Sequence, residues 1–127
     1  MVDVDCILDI KAKVGEGAVW DDRDQVLWWV DIQSCTLNRF DPASAINTPW
    51  TLPRRIGCFA PREQGGHVVA MQDGFAFFDT ATGQLEPIAD PEAHLPDNRF
   101  NDGTVDPAGR LIAGTMPMGP REPVAAI

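Results

Sequence analysis

An all-β fold built from repeated four-stranded units is predicted by three features of this 127-residue chain. Short runs rich in β-formers recur through the sequence, bounded by Gly, Pro, Asn and Asp. No segment carries a long apolar stripe at helical period with caps at both ends. The runs also repeat: Val26 to Val30, Val68 to Met71 and Arg110 to Gly114 are equivalent apolar strands. A period of about 40–50 residues with several short strands per unit marks the blades of a β-propeller. A β-sandwich is the competing all-β arrangement.

Taken in order, Val4 to Ile10 reads as a lone outer strand. Val19 to about Leu52 forms one blade, in which the polar turn Asp21-Asp22-Arg23-Asp24 leads into Val26-Leu27-Trp28-Trp29-Val30-Asp31-Ile32. Ile56 to about Ile88 forms a second. There His67 to Met71 follows Gly65-Gly66, and Phe75 to Phe78 follows the turn Gln72-Asp73-Gly74. Phe40-Asp41 and Phe78-Asp79 each end the third strand of their unit, nearer the rim, and the first strand of each unit lies nearest the central channel. Pro91 to Pro96 has room for one helical turn at most. Asn101 to Met116 supplies the inner part of a third blade. The whole of 1–127 is expected to be one partial propeller domain of two to three blades. Such a set is too small to close a ring and leaves sheet edges open.

Composition sets the outer bounds. A net charge of -9 argues against nucleic acid and anionic membrane surfaces as partners. It is compatible with cation binding and equally with simple solubility. Eleven glycines and eleven prolines fit a chain that turns often. No basic leader with an apolar core and no long apolar run is seen, so neither a signal peptide nor a membrane span is expected. Cys6, Cys35 and Cys58 are odd in number and lack metal-ligand spacing, as for reduced thiols in the cytoplasm.

Two motifs carry a resemblance. Gly15-Glu16-Gly17-Ala18-Val19-Trp20-Asp21, followed by Leu27-Trp28-Trp29-Val30-Asp31-Ile32, resembles the opening of the senescence-marker-protein/gluconolactonase/luciferin-regenerating-enzyme (regucalcin-like) family. Asn98-Arg99-Phe100-Asn101-Asp102-Gly103-Thr104-Val105-Asp106-Pro107-Ala108-Gly109-Arg110, then Ala113-Gly114-Thr115-Met116, resembles its most distinctive internal motif. The resemblance covers nearly all of the chain, which corresponds to less than half of a typical member. It implies blades of a six-bladed propeller that binds one divalent metal ion in its channel and hydrolyses sugar lactones. Ca²⁺ is the first expectation for the metal, with Zn²⁺, Mn²⁺ or Mg²⁺ compatible with the same oxygen donors. Glu16 matches the metal-ligating glutamate, and Arg99 and Asn101 match residues that contact substrate. The remaining ligands, an asparagine and the aspartate expected as general base, would fall beyond Ile127. An acidic substrate contact is often found near the position of Gly119, with Glu122 close by, and no role is assigned there.

These residue types suit that chemistry. The metal would polarise the lactone carbonyl and a carboxylate-activated water would open the ring. Arg99 offers a planar fork of donors, and Asn101 an amide that donates or accepts. Plainer readings stand beside these. Glu16 could be a solvated turn residue, Arg99 a salt-bridge partner of Asp97 or Asp102, and Asn101-Asp102-Gly103 a hairpin turn. Asp21, Asp22 and Asp24 read as a solvated turn, since the EF-hand glycine and terminal glutamate are missing. His67 and His94 lack partners at ligand spacing, and Trp20, Trp28, Trp29 and Trp50 read as blade-packing aromatics. A different class of function is a truncated propeller fragment without catalysis, acting as a metal-binding or interaction module. Two copies could also assemble into a homo-oligomer that completes a ring.

Overall fold

The computed structural model describes residues 1–120 and 126–127, and they form an antiparallel all-β structure. Strands β1 (Gly15–Asp21), β2 (Val26–Asp31), β3 (Thr36–Asp41) and β4 (Ile46–Thr51) make one four-stranded meander. Strands β5 (Ile56–Pro61), β6 (His67–Met71), β7 (Gly74–Phe78) and β8 (Leu85–Ala89) make a second. Strands β9 (Asn98–Val105) and β10 (Leu111–Pro117) pair as the inner half of a third. This is the partial propeller expected from the repeat: three blades in sequence, with β1, β5 and β9 innermost. Among the described residues no helix is long and apolar enough to cross a membrane.

Burial explains why the blades read differently in sequence. In β2, Val26, Trp28 and Val30 are buried while Leu27 and Trp29 are half-buried, the alternation of a sheet covered more on one face. Strand β5 is buried from Ile56 to Ala60, because the second blade is covered on both sides. Trp28, Val30 and Leu37 of the first blade pack against Ile56, Phe59 and Val69 of the second in one core. On the other side Cys58 and Ala70 meet Phe100 and Ala113, and the Phe75 and Phe100 rings lie 4.5 Å apart.

Three expectations are corrected. Val4 to Ile10 is not a strand; no strand among the described residues pairs with it, and Val4, Ile7 and Ile10 stay 88%, 66% and 44% exposed. A lone strand has no ladder to satisfy its backbone. Asn101-Asp102-Gly103 is not a hairpin turn but part of β9. The register slips by one residue there, with Phe100 opposite Thr115 and Gly103 opposite Ala113, so the polar residues occupy a β-bulge. The turn forms four residues later. The Asp106 carboxylate accepts from the amides of Ala108 and Arg110, and Gly109 takes a positive φ. Finally, Trp20 does not pack between blades: it is 46% exposed and donates to Asp22 at 2.8 Å. The other three tryptophans behave as expected. Trp28 stacks near Trp50, Trp29 donates to Asn47, and Trp50 donates to the Thr80 carbonyl of the next blade.

Candidate active site on the inner strands

Glu16 is the second residue of β1 and its side chain is exposed. Its place is set from below by Asp31. That buried carboxylate accepts from the amides of Lys13 and Val14, both at 2.9 Å, and from the Ser34 hydroxyl at 2.8 Å. Burial pushes the Asp31 pKa up. The Val14 and Lys13 amides and Ser34 outweigh it and hold the group down at about 2. Asp31 therefore staples the entry of β1 as a permanent anion. Gly17 follows Glu16 with φ +63, at the start of a register slip between Glu16 and Val19. Only glycine adopts that conformation without strain, and the bulge interrupts regular pairing just after the carboxylate.

Arg99 and Asn101 stand together on β9. Arg99 Nη1 donates to the Asn101 Oδ1 at 3.1 Å and to the Phe100 carbonyl at 2.9 Å. Among the described residues Arg99 pairs with neither Asp97 nor Asp102. The Asp102 carboxylate instead accepts from the Gly103 amide at 2.7 Å. Beneath Arg99, buried Asn98 donates to one oxygen of Glu92, and the Thr115 hydroxyl donates to the other, each at 3.0 Å. Glu92 thus ties the loop after β8 across both strands of the third blade.

Strand β5 lies between β1 and β9 and brings their residues together. A Cβ on Gly57 would strike the Phe100 carbonyl and lie 2.6 Å from the Asn101 carbonyl oxygen. One on Gly103 would lie 2.7 Å from Cys58 Sγ. The two inner strands are in backbone contact because both positions lack a side chain. Burial first, and then the Arg55 guanidinium, lower the Arg99 pKa below its ordinary value, while the Glu16 carboxylate opposes them. Glu16 and Arg55 therefore both act on Arg99 across the inner strands. Arg55 is a residue that motif reading passed over. The signal was present in the repeat: Arg55-Ile56-Gly57 and Arg99-Phe100-Asn101 hold the same place relative to the bulge of their strands.

Glu16 is one oxygen donor suited to a hard cation. Among the described residues no group of three or more His, Cys, Asp or Glu side chains could hold a metal ion, so they fit as contributors of one ligand and not as a whole site. The plainer readings hold for several other residues. Asp21 departs from its solvated-turn reading: it is buried and bonded to Arg23 at 3.0 Å, so it clamps the turn. His94 is exposed in the loop after β8. His67 is buried with its ring against Trp28 and Phe59. Burial, with the Asp102 carboxylate, pushes the Cys58 thiol up to about 12, which makes it unreactive core. Gly119 is exposed and has no side chain to contribute, and Glu122 lies outside the described residues.

Comparison with known proteins places this geometry. The SMP-30/Gluconolactonase/LRE-like region matches residues 14–126. A 6-deoxy-6-sulfogluconolactonase of Pseudomonas putida is 44% identical over 112 residues, covering 87% of this chain and 38% of its own length. Regucalcin of Danio rerio is 38% identical over 117 residues, covering 92% of this chain and 39% of its own. Among solved structures, regucalcin of Agrobacterium tumefaciens strain C58, described as a calcium-binding protein, superposes with a TM-score of 0.82 at 34% identity, over 87% of this chain and 38% of that one. The chain thus spans about two fifths of the length of these relatives. With a family region matched over nearly its whole length and the blades of a solved member reproduced, the chain belongs to the SMP-30/gluconolactonase/LRE-like family.

Proposed function

We propose that residues 1–127 are the N-terminal blades of a metal-dependent sugar lactonase, with Glu16 as a metal ligand and Arg99 and Asn101 as substrate contacts. The observation that carries this reading is the hydrogen-bonded Arg99–Asn101 pair, set on the inner strands within the electrostatic reach of Glu16. The pairing uses Arg99 Nη1 and Asn101 Oδ1. That leaves the Arg99 Nη2 and Nε donors and the Asn101 amide NH₂ to face a polyhydroxylated ring. A divalent cation held partly by Glu16 would supply polarisation of the lactone carbonyl, Ca²⁺ first and Zn²⁺, Mn²⁺ or Mg²⁺ by the same donors. Arg99 would orient the ester group and stabilise negative charge as water adds. The base that activates the water, an aspartate in the resemblance, would come from the part of the longer relatives that this chain does not span. The P. putida relative is named for a lactone with a sulfo substituent, so lactone substituents are a variable that the pocket residues must decide. Three unpaired thiols suit a cytoplasmic setting.

The test is acid release from gluconolactone by the purified chain with Ca²⁺ or Zn²⁺, then with excess EDTA, after subtracting spontaneous hydrolysis. Acceleration that EDTA abolishes, and that Glu16→Gln lowers by about 100-fold or more, supports lactonase chemistry at this site. A second reading is favoured by the absence, among the described residues, of any three-residue metal cluster. In that reading the chain is a non-catalytic metal-binding or interaction module. Folded protein that gives no acceleration but binds Ca²⁺ through Glu16 supports it.

A further inference from the structure

We propose that Arg55 and Arg99 form a two-guanidinium clamp for an anionic substituent, such as a sulfonate, phosphate or second carboxylate, on the sugar lactone or sugar acid bound at this site. The inference rests on the proposed lactone reading and names the substrate class within it. Its geometry comes from β5 and β9. Gly57 abuts Phe100 and Asn101, and Cys58 abuts Gly103, so the two strands run in the same direction side by side. Two residues before Gly57, Arg55 lies level with the start of β9, where Arg99 stands. Its backbone is fixed there, because the Gln72 amide donates to the Arg55 carbonyl at 2.8 Å.

The side chain is unspent. Among the described residues the half-buried Arg55 guanidinium makes no hydrogen bond and no ion pair. Its neighbour Arg54, by contrast, pairs with Asp73 at 3.5 Å. Arg23 and Arg110 pair with Asp21 and Asp106. Arg62 lies 4.0 Å over the Phe77 ring. Arg55 instead acts on Arg99 as a like charge, lowering its pKa after burial has done so. The Glu16 carboxylate opposes burial and the Arg55 cation at Arg99. In a chain of net charge -9 two cations so placed stand out. Two neighbouring guanidiniums on an acidic body attract anions. A neutral sugar would leave the repulsion between two guanidiniums standing. A tetrahedral or planar oxyanion between them relieves it and takes forked hydrogen bonds from both.

The experiment is calorimetric titration of the full chain in EDTA with gluconate, glucarate and 6-phosphogluconate, repeated on Arg55→Gln, Arg55→Lys and Arg54→Gln. Wild type should bind at least one of the two acids that carry a second anionic group about tenfold or more tightly than gluconate. That preference should vanish in Arg55→Gln, survive in part in Arg55→Lys, and persist in Arg54→Gln. Glucarate against 6-phosphogluconate separates a carboxylate from a tetrahedral oxyanion, and a preference for either supports the clamp. Equal preference in wild type and in Arg55→Gln of unchanged thermal midpoint overturns it, and so does failure of wild type to prefer either acid. Gluconolactone hydrolysis by metal-loaded wild type is measured separately. If hydrolysis fails while that preference holds, this chain is the non-catalytic module of the second reading and the anion site stands.

Discussion

His67 is the most consequential side chain that plays no part in the proposed chemistry. It begins β6, is 3% exposed, and sits edge-on to Trp28 with ring centroids 4.2 Å apart. Neither of its ring nitrogens has a partner among the described residues, and the same holds for the Trp28 indole nitrogen. Burial drives its pKa down to about 4; the Asp21 carboxylate opposes this and the Arg23 guanidinium adds to it. The folded chain therefore holds His67 neutral, whereas the unfolded chain protonates it near its ordinary 6.5. Protons bind the unfolded state first, so the His67 contribution is complete above about pH 6.5. It falls as pH drops from 6.5 and is gone once pH passes 4. At about 1.4 kcal/mol per tenfold, the loss across this window is roughly 3 kcal/mol. Urea unfolding at a series of pH values should show that decline, and His67→Leu should flatten it. A wild-type profile that is level from pH 7 to pH 4.5 would show that the imidazole is not buried neutral. Asp31 acts in a separate, lower window. Its carboxylate stabilises above the ordinary 3.8 and loses its effect only as pH falls toward about 2.

The hairpin turns show how unevenly the blades are optimised. In the first blade the turns end on Gln25, Cys35 and Ala45, all at φ 56. In the second and third blades the left-handed positions next to the strands belong to Gly66, Gly74, Gly83 and Gly109. A side chain in that region costs about 1–2 kcal/mol, partly offset because glycine loses more entropy on folding. Ala45 is exposed and makes a clean test. Ala45→Gly should stabilise by about 0.5–1 kcal/mol in urea unfolding, and Gly83→Ala, with open space around it, should destabilise by a similar amount. If both substitutions were neutral, the turn conformations could not be the strained ones. Turns also mark where the sequence could be read and where it misled. Apolar runs located β2 after Asp21-Asp22-Arg23-Asp24, β6 after Gly65-Gly66, β7 after Asp73-Gly74 and β10 after Pro107-Ala108-Gly109, because alternation and turn chemistry are local properties. Asn101-Asp102-Gly103 carries the same local chemistry yet forms a bulge. The competing turn at Asp106 to Gly109 gives its aspartate three donors, the amides of Ala108 and Arg110 and the Arg110 guanidinium. Val4 to Ile10 has strand-like composition but no ladder to join, and composition alone does not supply a partner.

Across the whole molecule, what holds the site is contact between blades, and this was the part hardest to read from sequence. Glu16, Arg99 and Asn101 could be proposed from motifs, since each belongs to a local run. Arg55 could not, because its relevance depends on β5 lying against β9, a contact between residues far apart in the chain. Gly57 is the position on which that contact turns. It has room for no side chain, and the atoms in the way are the backbone of Phe100 and Asn101, which cannot rotate aside. Gly57→Ala must therefore part the second blade from the third or bend β5. It would also loosen the small core in which Cys58 and Ala70 meet Phe100 and Ala113. The expected cost is about 3 kcal/mol or more, at the severe end for a single methyl group. Gly119→Ala is the matched control, since nothing among the described residues lies within 4 Å of its added Cβ, and it should change stability by less than about 0.5 kcal/mol. Thermal unfolding gives the stability difference, and near-ultraviolet dichroism follows the Phe75–Phe100 contact between the blades. The β5–β9 docking predicts that Gly57→Ala loses both, and that any tight binding through Arg55 and Arg99 is lost with them. If Gly57→Ala were as stable as Gly119→Ala, the two inner strands could not lie as close as their backbones require. The juxtaposition of Arg55 with Arg99 would then have no physical basis.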